Sequence, residues 1–472
     1  MLINFSFSNF KSYRDEQQFS LQRPQNAQKH EGFDWHRRDI STIAGIYGGN
    51  ASGKSAFIDA FRFLADFVVN GFSPNFDFEN SLSPFKLDST SRQKPSNFLV
   101  EFIGSDSARY TYELSLGPTQ VEYEALRTYS GNRSSRVFER ELTEGGFTYK
   151  YGRTFTGAKK TFERMTRPEV PFVTVLYVAN SPFAKPVYEL FQSRVGFFEA
   201  DLYDCELRNL QKELAKGSPI AHTLADLMAS ANLGVSVVQK RDVLDDLQKS
   251  SQQPGNPQEG AYRDLASGLL ALSQPDMPRE ERLRQAQSIA GQNPNPALEF
   301  SFTHRGANGF EEVFSEGEES RGTLAVLAFF SLALRLLSRQ SVGFIDEIDS
   351  SLHPAYVQEL VGLFKDPRTN PYQSQLIFTT HDVSLITRTG ADRRVLDQDQ
   401  IWLVEKGGDG SSTIYPVTSI STRWDENFGR NYLHGIYGAA PRPNIHGAFA
   451  HAVETIGDFG ADYTANDYGG GN

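Results

Sequence analysis

Gly48-Gly49-Asn50-Ala51-Ser52-Gly53-Lys54-Ser55 decides how the rest of the chain is read. It fits the pattern G-x-x-x-x-G-K-[S/T], and it lies between an apolar run, Thr42 to Tyr47, and helical text from about Lys54 to Val69. A strand that feeds a glycine turn and then a helix aims backbone N–H groups and the positive end of a helix dipole at one point, as a bound phosphate requires. In that geometry Gly48, Asn50, Ala51, Ser52, Gly53 and Ala56 form or flank the cradle. Lys54 reaches the outer phosphates as a catalytic cation, and the Ser55 hydroxyl ligates Mg²⁺. The expected ligands are ATP and Mg²⁺.

A second group lies about three hundred residues on. Val342-Gly343-Phe344-Ile345-Asp346-Glu347 reads as a short buried strand ending in two acids. Asp346 is suited to hold Mg²⁺ and Glu347 to orient and deprotonate an attacking water. Ser350-Ser351-Leu352-His353-Pro354 follows directly, and Leu376 to Thr380 is an apolar strand that closes on His381, placed to hydrogen-bond a terminal phosphate. Ahead of the acids stands Ser315-Glu316-Gly317-Glu318-Glu319.

In this order the motifs resemble those of ABC-type ATPases, with 31 residues from Ser315 to Asp346 and 35 from Asp346 to His381. Asn9-Phe10-Lys11-Ser12 is similar to the opening of the SMC and RecF branch, which implies Lys11 as a nucleotide contact. Four stretches, Pro84 to Asp88, Asp349 to Pro354, Asp399 to Lys406 and Asn431 to Gly438, look like a bacterial AAA-type branch, ABC-like in fold, associated with abortive infection and phage defence. The likeness extends to the ATPase subunit of PARIS-type systems. It covers about residues 1 to 110 and 295 to 443.

The resemblance implies an α/β ABC head with a split P-loop sheet, an inserted β-lobe and a helical insertion. It also implies a homo-oligomer built from head-to-tail dimers, in which Ser315 and Gly317 of one subunit reach the phosphate held by another. The family usually has Ser-Gly-Gly where this chain has Ser315-Glu316-Gly317, and a carboxylate aimed at phosphate would repel it. The implied partner is a separate effector, a Toprim-type nuclease being one candidate, with DNA or a phage protein as trigger. A RecF/SMC-like repair ATPase acting on DNA is the first alternative, and an overcoming-lysogenization-defect-like ATPase-nuclease the second. Against the second, the C-terminal part shows neither an acidic Toprim cluster nor an H-N-H pattern, and His434, His446 and His451 are scattered through glycine and proline text.

Organisation along the chain follows from composition. Ile3, Phe5 and Phe7 alternate with Asn4, Ser6 and Ser8 in a first strand, and 97–150 is rich in Phe, Tyr, Val and Thr between glycine turns, so several antiparallel strands are expected there. Four regions result: 1–180 with the β-lobe, 181–295 as helical insertion, 296–443 as the second half of the head, and 444–472 as an extension. Within the insertion, 252–257 (Gln-Gln-Pro-Gly-Asn-Pro) marks a connection.

The 472 residues carry a formal net charge of −11, which argues against a surface built throughout for nucleic acid. Arg127 to Arg167 is the best local candidate for such a groove, because basic residues there alternate with aromatic ones. The single cysteine, Cys205, excludes an intrachain disulfide and is expected to be a buried thiol. Leu324 to Leu337 is too short and too interrupted for a membrane span and reads as a buried helix. With no basic, apolar leader at Met1 to Phe5, a cytoplasmic protein away from membranes is expected.

Overall fold

A computed structural model describes residues 1–24, 33–35, 38–131, 133–199, 203–215, 220–231, 233, 235–242, 298–350, 352–388, 394–420 and 426–439, with positions 445, 446, 449, 451 and 452 beyond. The 252–257 connection, Ser351 and the tail after Ala461 lie outside these residues.

Apolar runs with no polar alternation belong in strands covered on both faces, and here they form one sheet. Its strands are β5 (Ile43–Gly48), β11 (Val195–Glu199), β15 (Val342–Asp346), β16 (Gln375–Thr380), β17 (Ile401–Lys406) and β18 (Ser412–Pro416). They lie in the order β11-β15-β16-β5-β17-β18, parallel except for β18. Every residue of β5 and β16 is buried. Their side chains alternate between two cores. Ala44, Ile46, Phe344 and Ile377 face the first with the helix α1 (Lys54–Asn70), and Ile43, Tyr47, Ile345 and Phe378 face the second. That second core is closed by α5 (Arg321–Leu337) and α6 (Pro354–Lys365).

The other large sheet is antiparallel, and it shows why the N-terminal strand cannot be separated from the β-lobe. Its order is β10-β9-β8-β7-β6-β1-β2, running from β10 (Gly146–Tyr151) through β9 (Arg133–Thr143), β8 (Val121–Ser130), β7 (Arg109–Leu116), β6 (Ser96–Ile103) and β1 (Leu2–Ser8) to β2 (Gln17–Ser20). The expected strands of 97–150 are thus a continuation of β1, with Phe5 opposite both Val100 and Phe19. Their shared apolar face lies on α1, where the Phe61 ring meets Phe5 edge-on at 4.9 Å and Phe344 of the parallel sheet, tilted, at 4.7 Å. One helix therefore sits between the two sheets, and its glycine-rich entry is fixed from both.

The 181–295 stretch departs from helical text in two places. Val195–Glu199 forms β11, whose register runs Val195 to Glu199 beside Val342 to Asp346. β12 (Val235–Asp242) joins β13 (Leu298–Arg305) and β14 (Glu311–Ser315) in a three-stranded sheet. Helices α3 (Tyr203–Ala215) and α4 (Ile220–Ser230) lie between them, after the short α2 (Phe172–Val178) that docks on the antiparallel sheet. Two short strands, β3 (Phe33–Trp35) and β4 (Arg38–Ile40), pair with each other. Among the described residues no helix is long and apolar enough to cross a membrane.

Candidate functional site

The strand order places three loops side by side. Parallel neighbours β15, β16 and β5 all end at one edge, so Asp346, His381 and the 48–55 loop converge there although the sequence separates them widely.

Backbone geometry makes the loop. Gly53 has φ +119°, and a β-carbon there would meet Ser412 Oγ at 2.5 Å and Ser12 Oγ at 2.9 Å, so only glycine fits. At Gly48 a β-carbon would stand 2.6 Å from the Val404 carbonyl oxygen. Ala51 is left-handed too, at φ 59°. The Lys54 side chain, 6% exposed, folds back over this turn and donates to the carbonyls of Gly48 at 2.9 Å and Gly49 at 3.2 Å. It also reaches His381 Nε2 at 3.1 Å, which makes that nitrogen the acceptor and places the ring proton on Nδ1. Burial holds the Lys54 ammonium below its ordinary pKa, opposed by Asp346, Glu347 and Asp349. Burial and the neighbouring Lys54 likewise push His381 below its usual value, so the imidazole is neutral at pH 7.

Fit to a phosphate ligand can be tested on the loop itself. Ser12 Oγ and Ser52 Oγ are buried with no hydrogen-bond partner, and both adjoin the turn. Buried polar atoms without partners are rare and mark a place where a ligand completes the bonding. Ser55 and Asn50 are exposed at the mouth of α1. A strong cation, free hydroxyls and a helix start facing two carboxylates form a donor set suited to a magnesium-bound triphosphate.

The acids are held by the next strand. Thr379 Oγ1 donates to Asp346 and accepts the Glu347 N–H at 2.8 Å. Glu347 itself sits at φ 52°, a strained backbone for a side chain of its size, with its carboxylate exposed toward solvent. Asp349, not singled out from the sequence, accepts from Thr380 Oγ1 at 2.7 Å and faces the His381 N–H with both oxygens at 3.3 Å. Its signal was available in the Asp346-Glu347-Ile348-Asp349 spacing. Glu199 was also missed: it ends β11 beside Asp346 and pairs with Arg62 of α1. His353 turns out to be a helix cap, its Nδ1 accepting the Ala355 N–H.

Three other expected residues, of which Ser315 and Gly317 are expected to act on a second subunit, make contacts of their own within the single chain. Lys11 donates to Asp59 on α1 at 2.6 Å, so its charge is spent beside the helix and not on the loop. The Ser315 hydroxyl and amide both donate to the Glu318 carboxylate at 2.8 Å, closing a capping box on a single turn that also holds Gly317. The Glu316 carboxylate accepts from Gln211 Nε2 at 3.1 Å and the Phe300 amide at 3.3 Å, so it points into its own subunit. Five residues on, Ser320 caps the seventeen-residue α5 by accepting the Thr323 N–H at 3.0 Å, with exposed Arg321 and then Gly322 in the first turn.

Cations of the Arg127 to Arg167 stretch are largely paired locally: Arg127 and Arg136 with Glu139 in the sheet, Lys160 with Glu163 on the short helix Lys159–Met165, and Arg167 with Glu169 after it. Arg140 is wholly buried against Glu124 and the carbonyls of Arg167, Pro168 and Val170. Cys205 is exposed, contrary to expectation, because α3 turns it outward beside Arg208. Among the described residues no three of His, Cys, Asp and Glu gather as a metal site. His434, His446 and His451 are exposed.

A P-loop strand, a strand ending in paired acids and a strand ending in histidine, adjacent and parallel, define an ABC-type ATPase head. The chain belongs to the family described as "AAA domain, putative AbiEii toxin, Type IV TA system", whose model matches residues 43–387. No curated protein matches it. Among solved structures it is similar to an Smc head bound to the C-terminal winged-helix domain of ScpA, at 14% identity over 88% of this chain and 97% of that one, with a TM-score of 0.39. An Smc head with extended coiled coil bound to the C-terminal domain of ScpA, from Pyrococcus furiosus, is 13% identical over 89% and 97%, with a TM-score of 0.34. The recombination mediator RecF of the RecFOR pathway is 11% identical over 88% and 98%, with a TM-score of 0.33.

Proposed function

We propose that the chain hydrolyses ATP at sites shared between two copies arranged head-to-tail, and that this cycle controls a separate effector in phage defence. The observation that carries the ATPase reading is the convergence at one sheet edge of a lysine-bearing phosphate loop, the Asp346–Glu347 pair and His381, with Lys54 in direct contact with the histidine. Lys54 and the amides of 51–55 would hold the phosphates, and Ser55 and Asp346 would hold Mg²⁺. A bound Mg²⁺ supplies charge neutralisation on the phosphate oxygens. Glu347 takes the proton of the attacking water. When Lys54 turns from the Gly48 and Gly49 carbonyls to phosphate, His381 Nε2 loses its donor, and the ring in the tautomer with its proton on Nε2 donates to a phosphate oxygen.

For the phosphate contact contributed by the second copy, the geometry favours Ser320 and Gly322 over Ser315 and Gly317. A seventeen-residue helix carries a full dipole at its start, whereas the Ser315 turn spans three residues and its hydroxyl is already engaged. Glu316, held by Gln211, is then no obstacle to turnover.

The effector half rests on the family and on the likeness to abortive-infection and PARIS-type ATPases. A Toprim-type nuclease is the leading effector, with DNA or a phage protein as trigger. One experiment tests both halves: phosphate release and degradation of DNA and RNA, each with Mg²⁺ or Mn²⁺, measured on wild type, Lys54→Ala and Glu347→Gln. Glu347→Gln keeps ATP affinity and loses turnover by about two orders of magnitude, the scale of a lost general base, and no preparation cleaves nucleic acid. Equal phosphate release from wild type and Glu347→Gln removes Glu347 from the mechanism, and nucleolysis lost in Lys54→Ala places the output in this chain.

A further inference from the structure

The segment around α7 (Phe428–Leu433) is seated beside the phosphate loop. The Gly49 N–H donates to the Ala439 carbonyl at 2.7 Å, and the Tyr432 ring packs edge-on against Tyr47 at 5.8 Å. Burial of Phe428, Tyr432 and Tyr437 anchors it. Its other side is turned outward: Leu433 is 66% exposed and Ile436 63%. Arg430, one helical turn before Leu433, is exposed and has no ion pair among the described residues.

The opposite half of the proposed composite site carries a patch of matching character. β14 is the edge of its three-stranded sheet and leads directly into Ser315 and Ser320. Residues 305–313 of its hairpin are exposed throughout, with Phe310 64% and Val313 57% exposed. Glu312, between those two, has no charge partner among the described residues. One patch thus offers two large apolar side chains and an exposed cation next to the phosphate loop. The other offers two large apolar side chains and an exposed anion along the open edge of β14, in the segment that leads to the cap of α5. Exposed apolar side chains grouped this way mark interaction surfaces, and opposite charges beside them fix the register of docking.

We infer that in the nucleotide-bound pair the Arg430–Ile436 segment of one copy docks on the Phe310–Val313 edge of a second copy, Arg430 facing Glu312. The contact rests on the head-to-tail reading above. Two-fold symmetry makes it twice per dimer, each time flanking a phosphate loop and the α5 cap that meets it. Because Ala439 is hydrogen-bonded to the loop, docking also holds the segment that carries this bond.

The test uses the full chain with Glu347→Gln, to retain ATP, and Cys205→Ala, to remove the exposed thiol. Leu433→Cys and Val313→Cys are introduced into separate preparations, which are mixed with a short bis-maleimide. A covalent dimer is expected only in the mixture and only with ATP. Arg430→Glu is expected to weaken ATP-dependent dimerisation by about tenfold, and adding Glu312→Arg to the same chain to restore it. An ATP-dependent dimer by light scattering, with no cross-link in the mixture and no effect of Arg430→Glu, overturns this contact and leaves the composite site standing. A Glu347→Gln, Cys205→Ala chain that stays monomeric with ATP overturns the head-to-tail reading itself, and the contact with it.

Discussion

Lys54, His381 and Asp349 form a chain of contacts in which each group sets the next. Three carboxylates oppose the desolvation that lowers the lysine's pKa, and His381 is held below its usual value first by burial and then by the nearby lysine. Asp349 fixes the backbone from which the histidine projects, through the Thr380 hydroxyl and the His381 N–H. Asn in place of Asp349 has one acceptor oxygen where two are used and brings an N–H₂ that faces another donor. The histidine then shifts while the phosphate loop is untouched. For Asp349→Asn we expect ATP affinity within about threefold of wild type and a turnover lowered by roughly ten- to a hundredfold, the range for a misplaced catalytic group. Calorimetric affinity and steady-state phosphate release separate the two effects, and unchanged turnover removes the role given to Asp349.

Among the elements, α1 links the two sheets, and its aromatic side chains show how strongly. Phe61 is fully buried, between Phe5 of the antiparallel sheet and Phe344 of the parallel one. Phe61→Ala leaves a cavity lined by both, and a loss of about 3–5 kcal/mol in unfolding free energy is expected by chemical denaturation. A loss below about 1 kcal/mol would mean that the sheets close over the gap. The elements that carry the site were readable because their signals are local: β5, β15, β16 and α6 are apolar runs or helical periods bounded by glycine, proline or acids. Those that were not readable depend on distant partners. β11 is five half-buried residues, Val-Gly-Phe-Phe-Glu, with no alternation, and becomes a strand only because Val342–Asp346 lies beside it. β1 shows its period of two, yet nothing in it announces β6 as its neighbour across ninety residues. Ser315-Glu316-Gly317 and Ser320-Arg321-Gly322 are equally good Ser-x-Gly text, and only the length of the helix that follows each distinguishes them.

For the whole molecule, the question is whether one chain completes a site or two are needed. Lys54 makes its bonds within 48–54 and to His381, while Ser320 makes its own at the start of α5. In a head-to-tail dimer each site takes its phosphate loop from one copy and its α5 cap from the other. A Lys54→Ala chain is then dead through its loop and sound at its cap. A Ser320→Arg chain is the reverse, its cap blocked by a bulky side chain and its loop intact. Mixed in equal amounts, about half of the dimers contain one of each, and in these one site inherits both lesions while the other inherits neither. Each preparation alone should release almost no phosphate, and the mixture should recover about a quarter of the wild-type rate if the two sites act independently. A recovery well below that, with mixed dimers present, would show that both sites must be intact for either to turn over. No recovery from a mixture that forms no dimers, together with normal hydrolysis by Ser320→Arg alone, would mean that each chain completes its own site and that α5 has no part in it.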